Sequence, residues 1–406
     1  MPIDHTDITR IKKKGVYILS AALVGIGLVA FFYGLLGQNP QRAWQAYLIN
    51  FLILSGIAQG ALLFSTLMHT TKARWSGALS SAAESFSAFF PISFILFLLL
   101  FLGKEHIFPW LHHDLHGKEA WLNLPFLFAR DLLGLLILYG FGFAYLYYAL
   151  CSKIGTLQPR GKIRVLLHKH WTRIDPQRCH SRKSTFSILY MLAFALVLSL
   201  IGYDLVMSMD PHWYSTLFGA YTFVKAFYIG LGGLIILAWV LYLKAENRFG
   251  LQLSDFHNIG KLFFAFCLVW ADFFYVQFVV IWYGNIPELT GYIIERTLTP
   301  PWNKLAWTVF SVCFILPFLL LLNKKIKTKP GGMILLSSIV IVGIWLEHLL
   351  LLGPALNHDT ATLPLNVADG LISLGFFGLL LVSVTYFLKL FPELGQIGKR
   401  GVMEWK

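Results

Sequence analysis

Residues 262–283, Leu262 to Tyr283, read LFFAFCLVWADFFYVQFVVIWY. At about 1.5 Å per helical residue, a run of this length crosses the roughly 30 Å hydrocarbon core of a bilayer. One carboxyl, Asp272, sits at its midpoint. An acid at that depth costs about 2.5–3.5 kcal/mol on insertion scales, so it is tolerated only where it faces a partner or a wet cavity. Turn chemistry in Gly284-Asn285-Ile286-Pro287-Glu288 closes the run, and His257-Asn258-Ile259-Gly260-Lys261 precedes it.

The surroundings repeat the pattern. The 406-residue chain is 57% hydrophobic and only 13% charged, against about 25% charged in a soluble domain. Its apolar residues fall in blocks of about 18 or more, the signature of an all-α integral membrane protein whose helices satisfy their own backbones. The net charge of +13 then reads as topology and attraction to anionic lipid, not nucleic acid. The four cysteines, Cys151, Cys179, Cys267 and Cys313, form no Cys-x-x-Cys or Cys-x-x-Cys-His. That argues against covalent c-type haem and an iron–sulfur site in this chain. No small-x-small cleavage site follows the basic start Arg10-Ile11-Lys12-Lys13-Lys14, so the apolar run after it is expected to be a span and not a leader.

Ten transmembrane helices are expected in one polytopic domain, at about 16–36, 44–68, 82–102, 126–150, 186–207, 216–243, 262–283, 307–322, 333–352 and 369–388. The third opens on small residues, Ser80-Ser81-Ala82-Ala83-Glu84-Ser85, which suit close helix packing. With the N-terminus inside, 26 of the 33 Lys and Arg fall in inner segments. Arg42, Lys104, Lys118, Arg296 and Lys304 fall outside, and Arg130 and Lys225 lie within spans. Both termini are therefore expected to be cytoplasmic. The basic loop 151–185 reads as a solvated, lipid-facing segment, with a docking surface for a soluble partner as the alternative. The outer loop 103–125 carries His106, His112, His113 and His116 with Glu105, Asp114 and Glu119. It reads as a polar, aromatic-flanked loop, with a metal site as the alternative.

Ionisable residues inside a membrane are functional candidates by default. Arg130, Asp131, Asp204, Lys225, Glu347, His348 and Asp369 fall in the outer half, Asp272 at the centre, and Glu84 near the inner end of the third span. Two readings stay open: structural ion pairs, such as Lys225 with Asp204 or Asp131, or a proton relay. The relay would run from Glu84 to Asp272, and from Glu347 and His348 with Asp131 and Asp204 to the outside. Asp272 has no cation at its own depth, and Tyr275 and Gln277 are its nearest polar neighbours in sequence.

Two segments carry a resemblance. One is Met207-Ser208-Met209-Asp210-Pro211-His212-Trp213-Tyr214-Ser215-Thr216-Leu217-Phe218-Gly219-Ala220-Tyr221; the other runs from His257-Asn258-Ile259-Gly260-Lys261 to Ile281-Trp282-Tyr283-Gly284-Asn285-Ile286-Pro287-Glu288. They resemble the ActF-type subunit (quinone-binding subunit 2) of bacterial alternative complex III, within the NrfD/polysulfide-reductase membrane-subunit family. Pro317-Phe318-Leu319-Leu320-Leu321-Leu322 before a basic patch also fits. The resemblance implies two four-helix bundles plus two peripheral helices. It implies the bacterial inner membrane and four partners: a multihaem cytochrome c, a monohaem cytochrome c, an iron–sulfur subunit and a homologous ten-span subunit. Haem and iron–sulfur clusters would sit in those partners. The family pattern favours an aromatic such as Tyr where this chain has Asp272.

The expected function is a membrane subunit of a respiratory quinol:cytochrome c (or oxidase) oxidoreductase, anchoring the assembly and offering a proton path. One alternative gives the chain its own outer quinol site at His212, Asp131 and Asp204, since quinol oxidation needs a proton acceptor beside the hydroxyl. Another is a stand-alone secondary transporter. Locally, Asp210-Pro211-His212-Trp213 reads as a capped interfacial turn in which Asp210 caps the sixth span.

Overall fold

A computed structural model describes residues 13–37, 40–112, 115, 117–155, 157, 162–244, 249–356 and 362–394. These residues are mostly helical, with no strand among them, and they include ten helical runs long and apolar enough to cross a membrane.

The first two spans are α1 (Lys13–Leu36) and α2 (Pro40–Thr70). The third is broken into α3 (Gly77–Glu84), a 3-10 stretch Ser85–Phe89, α4 (Phe90–Leu100) and, after another 3-10 turn, α5 (Lys104–Ile107). Pro91 accounts for the break, because it has no N–H to offer Ser87. The Phe90 N–H takes the Ser87 carbonyl instead, in the tighter pattern. Next come α6 (Leu124–Ile154), α7 (Lys162–Trp171), α8 (Pro176–Leu205), α9 (Phe218–Lys244) and α10 (Leu253–Gly284). Then follow α11 (Pro287–Thr297), α12 (Trp302–Phe310), a π-turn Ser311–Ile315, α13 (Leu316–Leu322), α14 (Lys324–Lys327), α15 (Pro330–Leu356) and α16 (Val367–Leu390).

The π-turn has the same kind of cause. Pro317 leaves the Cys313 carbonyl without its helical donor. The Tyr228 hydroxyl donates to that carbonyl at 3.2 Å, and the Cys267 thiol approaches it at 3.6 Å.

α2 and α9 form the centre. They cross where Gly60 meets Ala226 and Gly230; a Cβ on Gly60 would lie 2.3 Å from the Ala226 carbonyl oxygen. α8 packs on α6 and α9, while α10 and α15 pack on α9 from the other side. α1 lies antiparallel on α16, with Gly27 against Gly375 and the Lys389 ammonium over the Tyr17 ring.

Three expectations change at the helix ends. α10 starts at Leu253, not Leu262, because Gln252 and Asp255 form a reciprocal capping box beyond the apolar window. α8 starts at Pro176, not Phe186, with Asp175 as its cap. The basic loop holds α7, whose Trp171 is buried and whose Arg164 pairs with Glu393 at 2.6 Å, so this stretch is docked onto the protein. Of the outer loop, His113, Asp114 and His116 lie outside the described residues. Among the described residues no three His, Cys, Asp or Glu are placed to hold a metal ion.

Candidate functional site

Among the described residues, several polar clusters occupy the interior. The first is built on Glu84, at the end of α3. The small residues before it let α3 press into the bundle, and Glu84 is wholly buried. Lys153, from the last turn of α6, reaches both its oxygens at 2.7 and 2.8 Å, and also Ser81 at 3.0 Å. Ser65 on α2 donates to Glu84 at 2.9 Å and lies 3.0 Å from the Tyr145 hydroxyl. The His69 ring stands 6.3 Å from the Tyr145 ring. His69 also lines an open cavity of about 430 Å³ with Thr70, Lys72, His180 and Ser184.

The second cluster lies six residues back along α2. Gln59 donates to the Tyr139 hydroxyl at 2.8 Å. Tyr139 lies 2.7 Å from Ser93, and Ser93 lies 2.5 Å from Ser55. Ser55 and Gln59 then line a cavity of about 30 Å³, which Thr222, Lys225 and His348 line from the far side. That volume holds about one water, and five polar side chains around it suffice to bind one.

The third cluster is built on Glu347, fully buried on α15. It accepts from Tyr221, from Lys225 at 3.0 Å and from the Trp270 indole at 3.2 Å. Beside it, the His348 Nδ1 donates to the Ile344 carbonyl at 2.8 Å, since a carbonyl can only accept. Lys225 and His348 thus face the small cavity while Lys225 also holds Glu347. The chain of groups from Gln59 to Glu347 is continuous but for that cavity.

The fourth cluster stands apart. Arg130 clamps Asp204 with two bonds of 2.6 Å, stacks 3.9 Å from the Trp121 ring, and donates to the Trp121 carbonyl. Asp131 beside it is fully buried, and neither of its oxygens has a hydrogen-bond partner among the described residues. With both carboxyls ionised the trio is net negative; one added proton makes it neutral.

Several expected pairings change. Lys225 pairs with Glu347, not with Asp204 or Asp131. Arg42, expected in an outer loop, is buried in α2 and bonds Asp369 at 2.6 Å. Asp210 does not cap the sixth span, which begins at Phe218; it lies 3.9 Å from Arg296. There Trp213 stacks on Tyr292 at 3.8 Å, and the Arg296 guanidinium lies over the Tyr292 ring at 3.4 Å. Burial pushes the Tyr292 hydroxyl up to about 12. His212 is exposed. Asp131 is buried, and both Asp204 oxygens are already engaged by Arg130.

Asp272 departs furthest from its expected place. It is exposed on the outside of α10 and makes no hydrogen bond or ion pair among the described residues. Its neighbour Trp270 points the opposite way, to Glu347. The buried, hydrogen-bonded polar groups near the middle of α2 are instead Gln59, Tyr139, Ser55 and Ser93. The amide of Gln59 in the second half of that span was the available signal. The hydroxyls were hidden among many serines and tyrosines.

No protein-family model matches this chain, and no curated protein does.

What the arrangement can do follows from its own chemistry. Hydroxyl, carboxyl, ammonium and imidazole groups in hydrogen-bond sequence can accept and release protons. Besides the small cavity, the sequence is interrupted between the first two clusters. Ser65 and Gln59 are six residues apart, about 9 Å along the helix. Leu62, Phe90 and Tyr190 fill that interval and meet at Gly142, where a Cβ would come within 2.8 Å of Phe90.

Proposed function

We propose that this chain is a proton-handling membrane subunit of a respiratory quinol:cytochrome c (or oxidase) oxidoreductase in the bacterial inner membrane. It anchors the assembly and contributes a path between its two faces. Both termini would face the cytoplasm, and the helices would form two four-helix bundles with α1 and α16 at the edge. A multihaem and a monohaem cytochrome c, an iron–sulfur subunit and a homologous ten-span subunit would carry the electrons. The observation that carries the proton reading is the ladder of buried groups from the His69 cavity through Glu84, and from Gln59 through the small cavity to Glu347. The quinol:cytochrome c setting rests on the sequence resemblance and on the lack of a cysteine motif for a redox centre.

The test uses the assembled complex in membrane vesicles, with quinol-driven acidification measured beside electron transfer. Glu84→Gln and Glu347→Gln are expected to lower protons moved per electron while haem content stays unchanged. Unchanged proton-to-electron ratios in both variants would overturn the path. A chain that purifies alone, with no haem protein, would overturn the assembly.

An outer quinol site on His212, Asp131 and Asp204 is less favoured, because Arg130 already holds both Asp204 oxygens. A transporter is not favoured by the central cavity, whose volume suits a water and not a solute.

A further inference from the structure

We infer that the outer face of α10 docks against a membrane-spanning helix of a different protein chain, and that this helix carries a lysine or arginine at mid-bilayer depth opposite Asp272.

The argument starts from the spacing of the exposed positions. Ala265, Leu268, Asp272, Tyr275 and Trp282 are exposed on α10, in a face that also takes in Lys261, Phe278 and Val280; Val279 is half-buried. Ala265, Leu268, Asp272, Tyr275, Val279 and Trp282 recur at intervals of three and four residues, so they share one row within that face. This is the heptad seam of a left-handed helix pair. The opposite face, with Phe263, Cys267 and Trp270, is spent on the bundle. The seam therefore faces away from this chain.

An apolar seam alone would be satisfied by lipid. The carboxyl at its centre is not. Asp272 makes no bond among the described residues and sits where hydrocarbon would surround it. The other carboxylates at depth show how this chain treats such a group. Glu84, Asp204, Glu347 and Asp369 each hold a Lys or Arg within 3.0 Å, while Asp131, unbonded among the described residues, lies buried beside the Arg130–Asp204 clamp. A cation is the missing complement at Asp272, and it must come from outside.

A second copy of this chain does not supply one. Among the described residues, the cations within its spans that face the interior, Arg42, Arg130, Lys153 and Lys225, are already paired with Asp369, Asp204, Glu84 and Glu347. The partner is thus a different chain, and its span is recognisable by a base near its midpoint.

This inference rests on the proposed membership in a larger assembly, and its test is separable from that reading. A benzophenone amino acid replaces Tyr275 in the seam or, as a control, exposed Val342 on α15, in full-length protein in native membranes. After irradiation the adduct is mapped by peptide sequencing. The expected result is one protein adduct at Tyr275, absent at Val342, whose peptide is an apolar span with Lys or Arg near its middle. Asp272→Lys is expected to lower its yield by about tenfold, and placing Asp at the partner's basic position to restore it. Asp272→Leu, which lipid accepts without cost to folding, is expected to lose the adduct as well. Lipid adducts only, a second copy of this chain, a partner span with no base, or yield unaffected by both substitutions would each overturn the inference. A complex that co-purifies but crosslinks elsewhere would overturn the seam and leave the assembly standing.

Discussion

Replacing Lys225 with Met tests the energetic core of the interior. The Lys225 and Glu347 side chains are 3% and 0% exposed, and the ammonium lies 3.0 Å from the carboxylate. Among the described residues, Lys225→Met removes the only cation bonded to Glu347 and leaves it two neutral donors, Tyr221 and Trp270. Breaking a buried pair by removing one partner costs about 3–5 kcal/mol, because an uncompensated charge stays behind. Adding Glu347→Gln to Lys225→Met removes that charge. The amide oxygen can still accept from Tyr221, but the Trp270 N–H is left facing an amide nitrogen, an orphaned donor worth about 1–3 kcal/mol. The double variant is thus expected to be about 2 kcal/mol more stable than Lys225→Met alone. Equilibrium unfolding in mixed micelles, followed by tryptophan fluorescence, measures all the variants and gives the coupling energy. A cost below about 1 kcal/mol for Lys225→Met, or strictly additive losses, would refute the reasoning.

Four further outcomes are expected. Gly60→Ala should lower thermal stability by roughly 1–3 kcal/mol, since its Cβ meets the Ala226 backbone, whereas Gly140→Ala, with open space around it, should be neutral or stabilising; differential scanning in detergent reads both. Tyr228→Phe should cost about 1 kcal/mol in the parent, and less in Pro317→Leu, where a restored N–H competes for the Cys313 carbonyl; the same unfolding assay decides. Arg130→Lys should lose about 1–2 kcal/mol, because one ammonium cannot replace the two-pronged clamp on Asp204 or its stack on Trp121. Leu62→Ser places a hydroxyl midway between the two α2 clusters and should raise passive proton leak in vesicles at unchanged haem content; an unchanged leak in a folded variant would argue against a path through that interval.

The spans were legible because lipid permits few alternatives to a long apolar helix. The stop at Asn285-Ile286-Pro287 was legible for a local reason too: Asn285 takes the left-handed conformation, and Pro287 opens α11. The start of α10 was not, since its cap lies in polar sequence that a hydropathy window discards. Pro91 and Pro317 were visible, but the carbonyls they free, and who takes them, depend on neighbouring helices. The ion pairs were out of reach for the same reason. Arg130 and Asp204 are 74 residues apart, Lys225 and Glu347 122, and Arg42 and Asp369 327. Depth alone matched Lys225 to the wrong acids. Depth likewise put Asp272 at the centre of a path, because the sequence says how far along a helix a residue lies but not which way it faces.

These placements bear on one another. A membrane bundle that moves protons needs titratable groups inside it, and each such group must be stabilised without becoming inert. Glu84 and Glu347 are each held by one ammonium and by hydroxyl or indole donors, so their charges are compensated while hydroxyls remain in contact to pass a proton. On the proposed proton path, the interval at Leu62, Phe90, Tyr190 and Gly142 would have a physical role: an unbroken line of hydroxyls would short-circuit any gradient. Proton movement across it requires a side chain to swing or water to enter, and either event can be tied to a change elsewhere in an assembly. Asp272 fits none of these conditions, having neither a cation nor a hydroxyl ladder beside it among the described residues. Its position is accounted for if, as inferred above, another helix and not lipid covers this face of α10.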